Sequence, residues 1–249
     1  MNAPQLVATA ARSVQGSLTL AIDIGGTGLK AAVVDPAGAF VGERVRIDTP
    51  VGATPDAIVA LLAELVRELP DHERVAVGFP GMVRNGVVRT APNLGHDAWT
   101  GYDLASALTA ALHKPVRVAN DADVQGLAVI AGKGVEMVIT LGTGFGTALY
   151  HDGRLCPHLE ISQQPFRKGE TYDQQLGNAA RKAIGNGKWR KRVWKAIANL
   201  RVLTHFDRLY VGGGNARRLE GELPADVVLV DNSAGLSGGA RLWQALGEN

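Results

Sequence analysis

Residues 18–35, LTLAIDIGGTGLKAAVVD, set two apolar stretches either side of a polar glycine turn. Residues 18–24 and 29–34 are short β-prone runs bounded by turn residues, which predicts a hairpin with a polar tip. Residues 55–69 carry apolar side chains at helical spacing; Thr54 is placed to cap this helix, Pro55 suits its first position and Pro70 stops it. A strand over 74–78 follows, then a helix over 102–112 and a strand over 116–119. That strand ends on Asn120-Asp121-Ala122-Asp123, ahead of a helix over 124–131. Strands alternating with helices predict an α/β protein.

Residues 137–153 repeat the opening: strand VITL, turn GTGFG, strand TALYHDG. Gly26-Thr27-Gly28 and Gly142-Thr143-Gly144 lie 116 residues apart, near half the chain, so two related halves are expected, each opening on a glycine-tipped hairpin. Two facing tips would form a cleft. Residues 171–206 read as helical and polar, 208–211 as a strand running into Gly212-Gly213-Gly214-Asn215, and 227–230 as the last strand. Residues 233–246 read as a closing helix capped by Ser233 or Ser237. The expected division is a flexible tail over 1–17, an N-terminal α/β domain over 18–119 and a C-terminal α/β domain over 120–232. The helix within 233–249 is placed to pack back on the first domain. The chain's 249 residues suit two modest domains, since one takes about 100–150.

Composition sharpens this picture at three points. Glycine supplies 31 of 249 residues, about 12% against a usual ~7%, and clusters in short motifs where backbone can approach a ligand closely. The single cysteine, Cys156, excludes an internal disulfide and a Cys-rich zinc site; it is expected to be a small buried hydrophobe in a cytoplasmic protein. No stretch reaches the ~18 apolar residues of a membrane helix, so no membrane partner is expected. Net charge is only +2, yet residues 1–150 hold 11 basic and 14 acidic side chains and residues 151–249 hold 15 and 10. Residues 163–201 concentrate ten basic side chains against Glu170 and Asp173, with Trp189 and Trp194 interleaved. Arg181, Lys182, Lys188, Arg190, Lys191 and Arg192 form the densest part. This stretch is either a solvated helical face or a groove for a long polyanion. No nucleic-acid motif accompanies it, which leaves nucleic acid the weaker candidate.

Exposed backbone N–H groups in a glycine turn suit phosphate oxygens, although a single such turn also serves as a plain tight hairpin. Lys30 is not followed by Ser or Thr, so the first turn is not a Walker loop. Asp23, polar in an apolar strand, would hold a phosphate-bound metal through water or accept hydrogen bonds from the turn. Lys30 would offset phosphate charge or simply be solvated. Asp121 sits where a strand ends, a usual place for functional side chains, and would take the proton from a substrate hydroxyl. Asp123 is read as the helix cap.

Six motifs together resemble the ROK sugar kinases, and within them the polyphosphate glucokinases: IDIGGTGLK (22–30), GFPGMV (78–83), APNL (91–94), NDAD (120–123), TLGTGFGTAL (140–149) and VGGGN (211–215). The resemblance covers residues 18–243 in order. It implies an actin-like, ribonuclease H-like duplicated two-domain fold with sugar in the interdomain cleft, a Mg²⁺ cofactor and a homodimer. By motif, Asp121 resembles the catalytic base, Asn93 and Asn120 resemble sugar-hydroxyl ligands, and Gly81 lies beside the sugar. Asp23, Gly25, Gly26, Thr27 and Lys30 match the first phosphate turn, Gly142, Thr143 and Gly144 the second. Gly213 and Gly214 match a turn facing nucleotide in ATP-using members. The implied reaction is phosphorylation of glucose, or a related hexose, at O6 from polyphosphate or ATP, with the Arg181–Lys195 stretch lining the polyphosphate path.

One segment departs from the family's Glu-Leu-Gly-His pattern. Glu160 fits the glutamate, but Ser162 replaces the glycine and Gln163 the histidine, while His158 falls too early in register. Gln163 can still donate and accept hydrogen bonds, whereas its different shape would retune or disable the sugar site. A catalytically weakened sugar-binding protein is therefore the alternative expectation. The family's Cys/His zinc cluster has no counterpart in this segment.

Overall fold

A computed structural model describes residues 16–92, 94, 97–219, 221, 223–230 and 235–246. Its first half runs β1 (Thr19–Ile24), β2 (Leu29–Val34), β3 (Phe40–Ile47), α1 (Pro55–Leu65), β4 (Arg74–Phe79), β5 (Val83–Arg84), β6 (Val87–Val88), α2 (Leu104–Leu112) and β7 (Val116–Asn120). Then come α3 (Asp121–Leu127), β8 (Val135–Leu141), β9 (Phe145–His151), β10 (Arg154–Leu155), β11 (Pro165–Arg167), β12 (Glu170–Thr171), α4 (Tyr172–Leu176), α5 (Asn178–Ile184) and α6 (Asn186–Thr204). The last elements are β13 (Arg208–Gly212), β14 (Val227–Leu229) and α7 (Gly239–Ala245).

β5-β6 and β11-β12 pair as two-stranded ribbons, while the other ten strands form two five-stranded sheets built to one plan, β3-β2-β1-β4-β7 and β10-β9-β8-β13-β14. In each, an antiparallel hairpin is followed outward by two parallel strands: β1 pairs β2 antiparallel and β4 parallel, and β8 pairs β9 antiparallel and β13 parallel. The repeat of hairpin motifs thus appears as a repeated sheet. β1 buries every residue except the half-buried Asp23, as expected of a strand covered on both faces. β3 has no clean apolar alternation because it is a largely exposed edge strand, blunted by Glu43, Arg44 and Arg46.

α1 begins as expected: Thr54 Oγ1 accepts from Ala57 N at 3.3 Å and Pro55 opens the helix. It buries Pro55, Ile58, Val59 and Leu62 along one stripe and ends at Leu65, ahead of Pro70. α3 corrects the reading of Asp123 as cap. The Asn120 side chain caps the helix by accepting from Ala122 N at 2.8 Å, so helix starts at Asp121, three residues earlier than expected, and stops at Leu127. Asp123 falls inside the first turn and is 2% exposed. The closing helix is also shorter than expected. α7 starts after Gly238 without a side-chain cap, so Ser237 does not cap it, and Ser233 lies outside the described residues.

α3 is the joint between the sheets. One apolar cluster joins its Val124 and Leu127 to Ala76 and Ala119 of the first sheet, Val138 and Tyr150 of the second, and Leu242 of α7. At Gly126 a Cβ would stand 2.2 Å from Tyr150 Oη, so only glycine allows this approach. Tyr150 Oη donates to the Asp123 carbonyl at 2.5 Å, tying the helix to the second sheet. α7 packs Ala240 with Ala21 and Ala32 of the first sheet.

The basic region forms three helices broken at Gly177 and Gly185, the latter at a φ of 78° that favours glycine. α6 buries Trp189, Val193, Ala196, Ile197 and Leu200 on one stripe, and Trp189 Nε1 donates to Leu176 O at 2.8 Å. Trp189 is core, and half-buried Trp194 packs against the same core.

Candidate functional site

The parallel register of β1, β4 and β7 sets Asp23 beside Gly78 and Gly78 beside Ala119, so the strand ends bring Asp23 and Asp121 together. A Cβ on Gly78 would lie 3.8 Å from both Asp121 Cβ and Asp23 Oδ1, which makes this glycine the space between two carboxylates. Asp23 also faces Lys30 across the hairpin and pairs with it at 2.8 Å. Asp121 is half-buried at the first position of α3. Burial, and then the negative charge of Asp23, push its carboxyl up to about 7. A carboxylate balanced near neutrality suits a proton acceptor.

Asn120 is 8% exposed. Besides capping α3 it donates through Nδ2 to Gly81 O at 3.1 Å and Phe79 O at 3.4 Å. It thereby holds the turn after β4 as well as the start of α3. Gly81 is required there, because a Cβ would stand 2.0 Å from Thr90 O. Asn93 lies outside the described residues.

Glu160 reaches the same neighbourhood from the second half of the chain. His158 Nδ1 lies 3.0 Å from Asp123 Oδ2, and its Nε2 is 3.8 Å from Glu160 Oε2, with only 7% of the imidazole exposed. Burial alone would lower the His158 pKa, but the two carboxylates reverse that and raise it to about 10. Asp123 is pushed up by its burial, and Glu160 is held down by His158, with Ser162 adding to the effect. The Ser162 hydroxyl donates to Glu160 Oε1 and accepts from Gln163 Nε2 at 3.2 Å. Ser162 is buried and Gln163 exposed. Four carboxylates, Asp23, Asp121, Asp123 and Glu160, thus interact in a chain balanced by Lys30 and His158.

The two glycine tips are held differently. In the first, Gly25 N donates to Gly28 O at 3.0 Å and Thr49 Oγ1 to Gly25 O at 2.6 Å, with Gly26 and Thr27 exposed. Arg46 of β3 lies over this tip, donating to Thr27 O at 3.4 Å. In the second, Gly142 N donates to Gly144 O at 3.1 Å, and outside residues fix the rest. Asn215 Nδ2 donates to Gly142 O at 3.2 Å, Asn178 N to Thr143 O at 3.0 Å, and Phe145 N to Asp173 Oδ1 at 2.8 Å. Gly213, at a φ of 88°, presses on the Leu141 backbone, where a Cβ would stand 2.5 Å from the carbonyl oxygen. Gly214 is open to solvent. Asp173 occupies one amide that the glycine motif alone would have offered to phosphate.

Arg181 is linked to this second tip through Asn178: its guanidinium donates to Asn178 Oδ1 at 2.9 and 3.1 Å and to Asn186 Oδ1 at 3.0 Å. Lys182, Lys188 and Lys191 are exposed on α5 and α6, while Arg190 and Arg192 are half-buried. Sequence reasoning set His158 aside as out of register and missed Arg46, Asp173 and Asn178. A histidine in PHLE, flanked by apolar residues and two positions before Glu160, was the available signal for His158. Cys156 is half-buried, not the buried hydrophobe expected.

Among the described residues no group of three or more His, Cys, Asp and Glu side chains is arranged to hold a metal. Asp23 and Asp121 nevertheless offer the hard oxygen atoms that suit Mg²⁺, an ion that keeps several waters and takes one or two carboxylates plus phosphate oxygens. No helix among the described residues is long and apolar enough to cross a membrane.

Comparison with known proteins places this geometry. The chain is 33% identical over 235 residues to the polyphosphate glucokinase of Mycobacterium tuberculosis, covering 88% of each chain. It superposes with a TM-score of 0.81 on the inorganic polyphosphate/ATP-glucomannokinase of Arthrobacter sp. strain KM, at 33% identity over 92% of this chain and all of that one. A ROK family glucokinase from Streptomyces griseus, solved with glucose and AMPPNP, shares the fold at 23% identity and a TM-score of 0.75, covering 90% and 98% of the two chains. The profile of the ROK family matches residues 19–157. The actin-like α/β architecture, the paired glycine hairpins and these matches agree: the chain belongs to the ROK family.

Proposed function

We propose that this protein is a sugar kinase that transfers a phosphoryl group from inorganic polyphosphate to O6 of glucose, working with Mg²⁺ in the cytoplasm as a homodimer. The observation that carries the chemistry is Asp121: a carboxylate raised to about 7 and set across Gly78 from Asp23, the residue two before the first glycine tip. Asp121 takes the proton as O6 bonds to the terminal phosphorus of the donor. The phosphoanhydride bond to that phosphorus breaks, and polyphosphate leaves one unit shorter. Lys30 and the turn amides stabilise charge on the transferred group. Asp23 would hold Mg²⁺ through water, and the ion would supply further neutralisation of the phosphate oxygens. Glu160 accepts from sugar hydroxyls, and Asn120 fixes the Gly81 turn beside the sugar. Arg181 and the lysines of α5 and α6 provide a positive path leading away from the second tip.

Ser162 favours a working site over a weakened one. Its hydroxyl is spent on orienting Glu160, so the extra side chain is accommodated and used. The dual-donor, dual-sugar name of the Arthrobacter relative favours ATP as a second donor and mannose as a second acceptor. Purified protein supplied with Mg²⁺ and each pairing of polyphosphate or ATP with glucose, mannose or glucosamine tests the reading. Polyphosphate with glucose is expected to give the highest kcat/KM. Sugar binding by calorimetry with no turnover for any pair would instead support the weakened protein.

A further inference from the structure

His158 is among the most enclosed charged groups of the molecule, and the reaction sketched above does not use it. Its ring spans from α3 to the Glu160 turn: Nδ1 donates to Asp123, 3.0–3.1 Å from both carboxylate oxygens, while Nε2 faces Glu160 Oε2 at 3.8 Å. Nε2 is fully buried and makes no hydrogen bond, an expensive state for an N–H unless a nearby charge compensates it. Among the described residues, the side chain paired with that edge is Glu160. From its other side Glu160 receives the Ser162 hydroxyl, itself contacted by Gln163. Asp123, the anchor, is in turn fixed within the α3 turn that begins with Asp121.

We propose that His158 is a positioning residue: anchored on Asp123, it orients the Glu160 carboxylate from the side opposite Ser162 and so sets affinity for the sugar. This rests on the sugar-kinase reading above. The groups facing the ring are Asp123 from α3 and Glu160 from its own segment, with Asp121 and Cys156 coupled more distantly to the same cluster. Ring and carboxylate therefore form a short relay between the proton-accepting end of the site and its sugar-binding end. The sugar preference of this chain would follow from a Glu160 held by histidine and serine.

Two near-isosteric variants separate the two arms of the ring. The amide nitrogen of asparagine falls near the position of Nδ1 and that of glutamine near Nε2, so His158→Asn keeps the Asp123 contact and His158→Gln keeps the one to Glu160. With His158→Asn, KM for glucose is expected to rise about tenfold, with kcat and KM for polyphosphate within about twofold of wild type. With His158→Gln, KM for glucose should stay within about threefold even if the melting temperature falls. Equal glucose KM values in wild type, His158→Asn and His158→Gln, with changes confined to melting temperature, would overturn the proposal and leave His158 a purely structural group. Should His158→Asn fail to fold, a double-mutant cycle of His158→Ala, which removes both ring contacts, with Glu160→Gln, read as calorimetric sugar affinity, decides the matter: additive losses overturn it, strongly non-additive ones support it. Failure of the sugar-kinase reading shows separately, as absent turnover and absent sugar binding in the wild-type protein.

Discussion

The two glycine hairpins share strand order and turn sequence, yet they are built for opposite electrostatic surroundings. The first tip stabilises itself through the Gly25–Gly28 hydrogen bond, and its sheet leads to the raised carboxyl of Asp121, an Asp23–Lys30 pair and a cluster of further acids. The second tip is braced from outside by Asn178, Asn215 and Asp173, and two basic helices lead away from it. A duplicated scaffold thus separates two tasks that conflict in one place. In the reaction proposed, a base needs burial and nearby negative charge to keep its pKa high, whereas a polyanionic donor needs positive charge along its length. α3 links the two, carrying Asp121 at its start and packing against both sheets.

The largest effect should come from the acidic end. Asp121→Asn is expected to lower kcat by roughly 10²–10⁴-fold while calorimetric glucose affinity is retained; near-normal turnover would remove Asp121 as the base. Next is the pH profile. With the carboxyl lifted to about 7, the deprotonated fraction falls as pH drops through 7, so kcat/KM for glucose should fall nearly tenfold per unit below about pH 6.5. A profile flat down to pH 5 would contradict this electrostatic picture.

The basic end should respond more modestly and selectively. Replacing Arg190, Lys191 and Arg192 with neutral residues is expected to raise KM for long-chain polyphosphate on the order of tenfold, and KM for ATP much less. Added salt should mimic the change. Equal effects on both donors would reduce these helices to a solvated face. The smallest effect concerns stability. A raised folded-state pKa means that Asp121 favours folding most when protonated, below its ordinary value of 3.8, and that this contribution is lost as pH rises through about 7. Asp121→Asn should therefore melt at the same temperature as wild type near pH 4. At pH 8 it should melt several degrees higher, about 2–4 °C for each kcal/mol of relieved repulsion.

Local patterns carried much of this molecule. The hairpins, the capped start of α1 and the strand ending on Asn120-Asp121 follow from runs of neighbouring residues, and the structure builds them accordingly. Competition among similar residues was harder to read. Asn120, Asp121 and Asp123 can all cap a helix, and the contact of Asn120 with the distant Gly81 turn accompanies its role as cap. β3 was hidden because an exposed edge strand lacks apolar alternation. Trp189 was read among lysines and arginines, although it belongs to the buried stripe of α6. His158 was set aside as out of register with the sugar ligands; its partner Asp123 is 35 residues away, and only folding brings the two halves together over α3.

The most direct measurement is ³¹P NMR of the product formed from glucose, long-chain polyphosphate and Mg²⁺ by wild-type protein and by Asp121→Asn, side by side. Glucose 6-phosphate from the wild type alone, with shortening of the polyphosphate, is the predicted result. Absence of glucose 6-phosphate from the wild type, or equal formation by both proteins, would contradict the division of labour between an acidic acceptor end and a basic donor end.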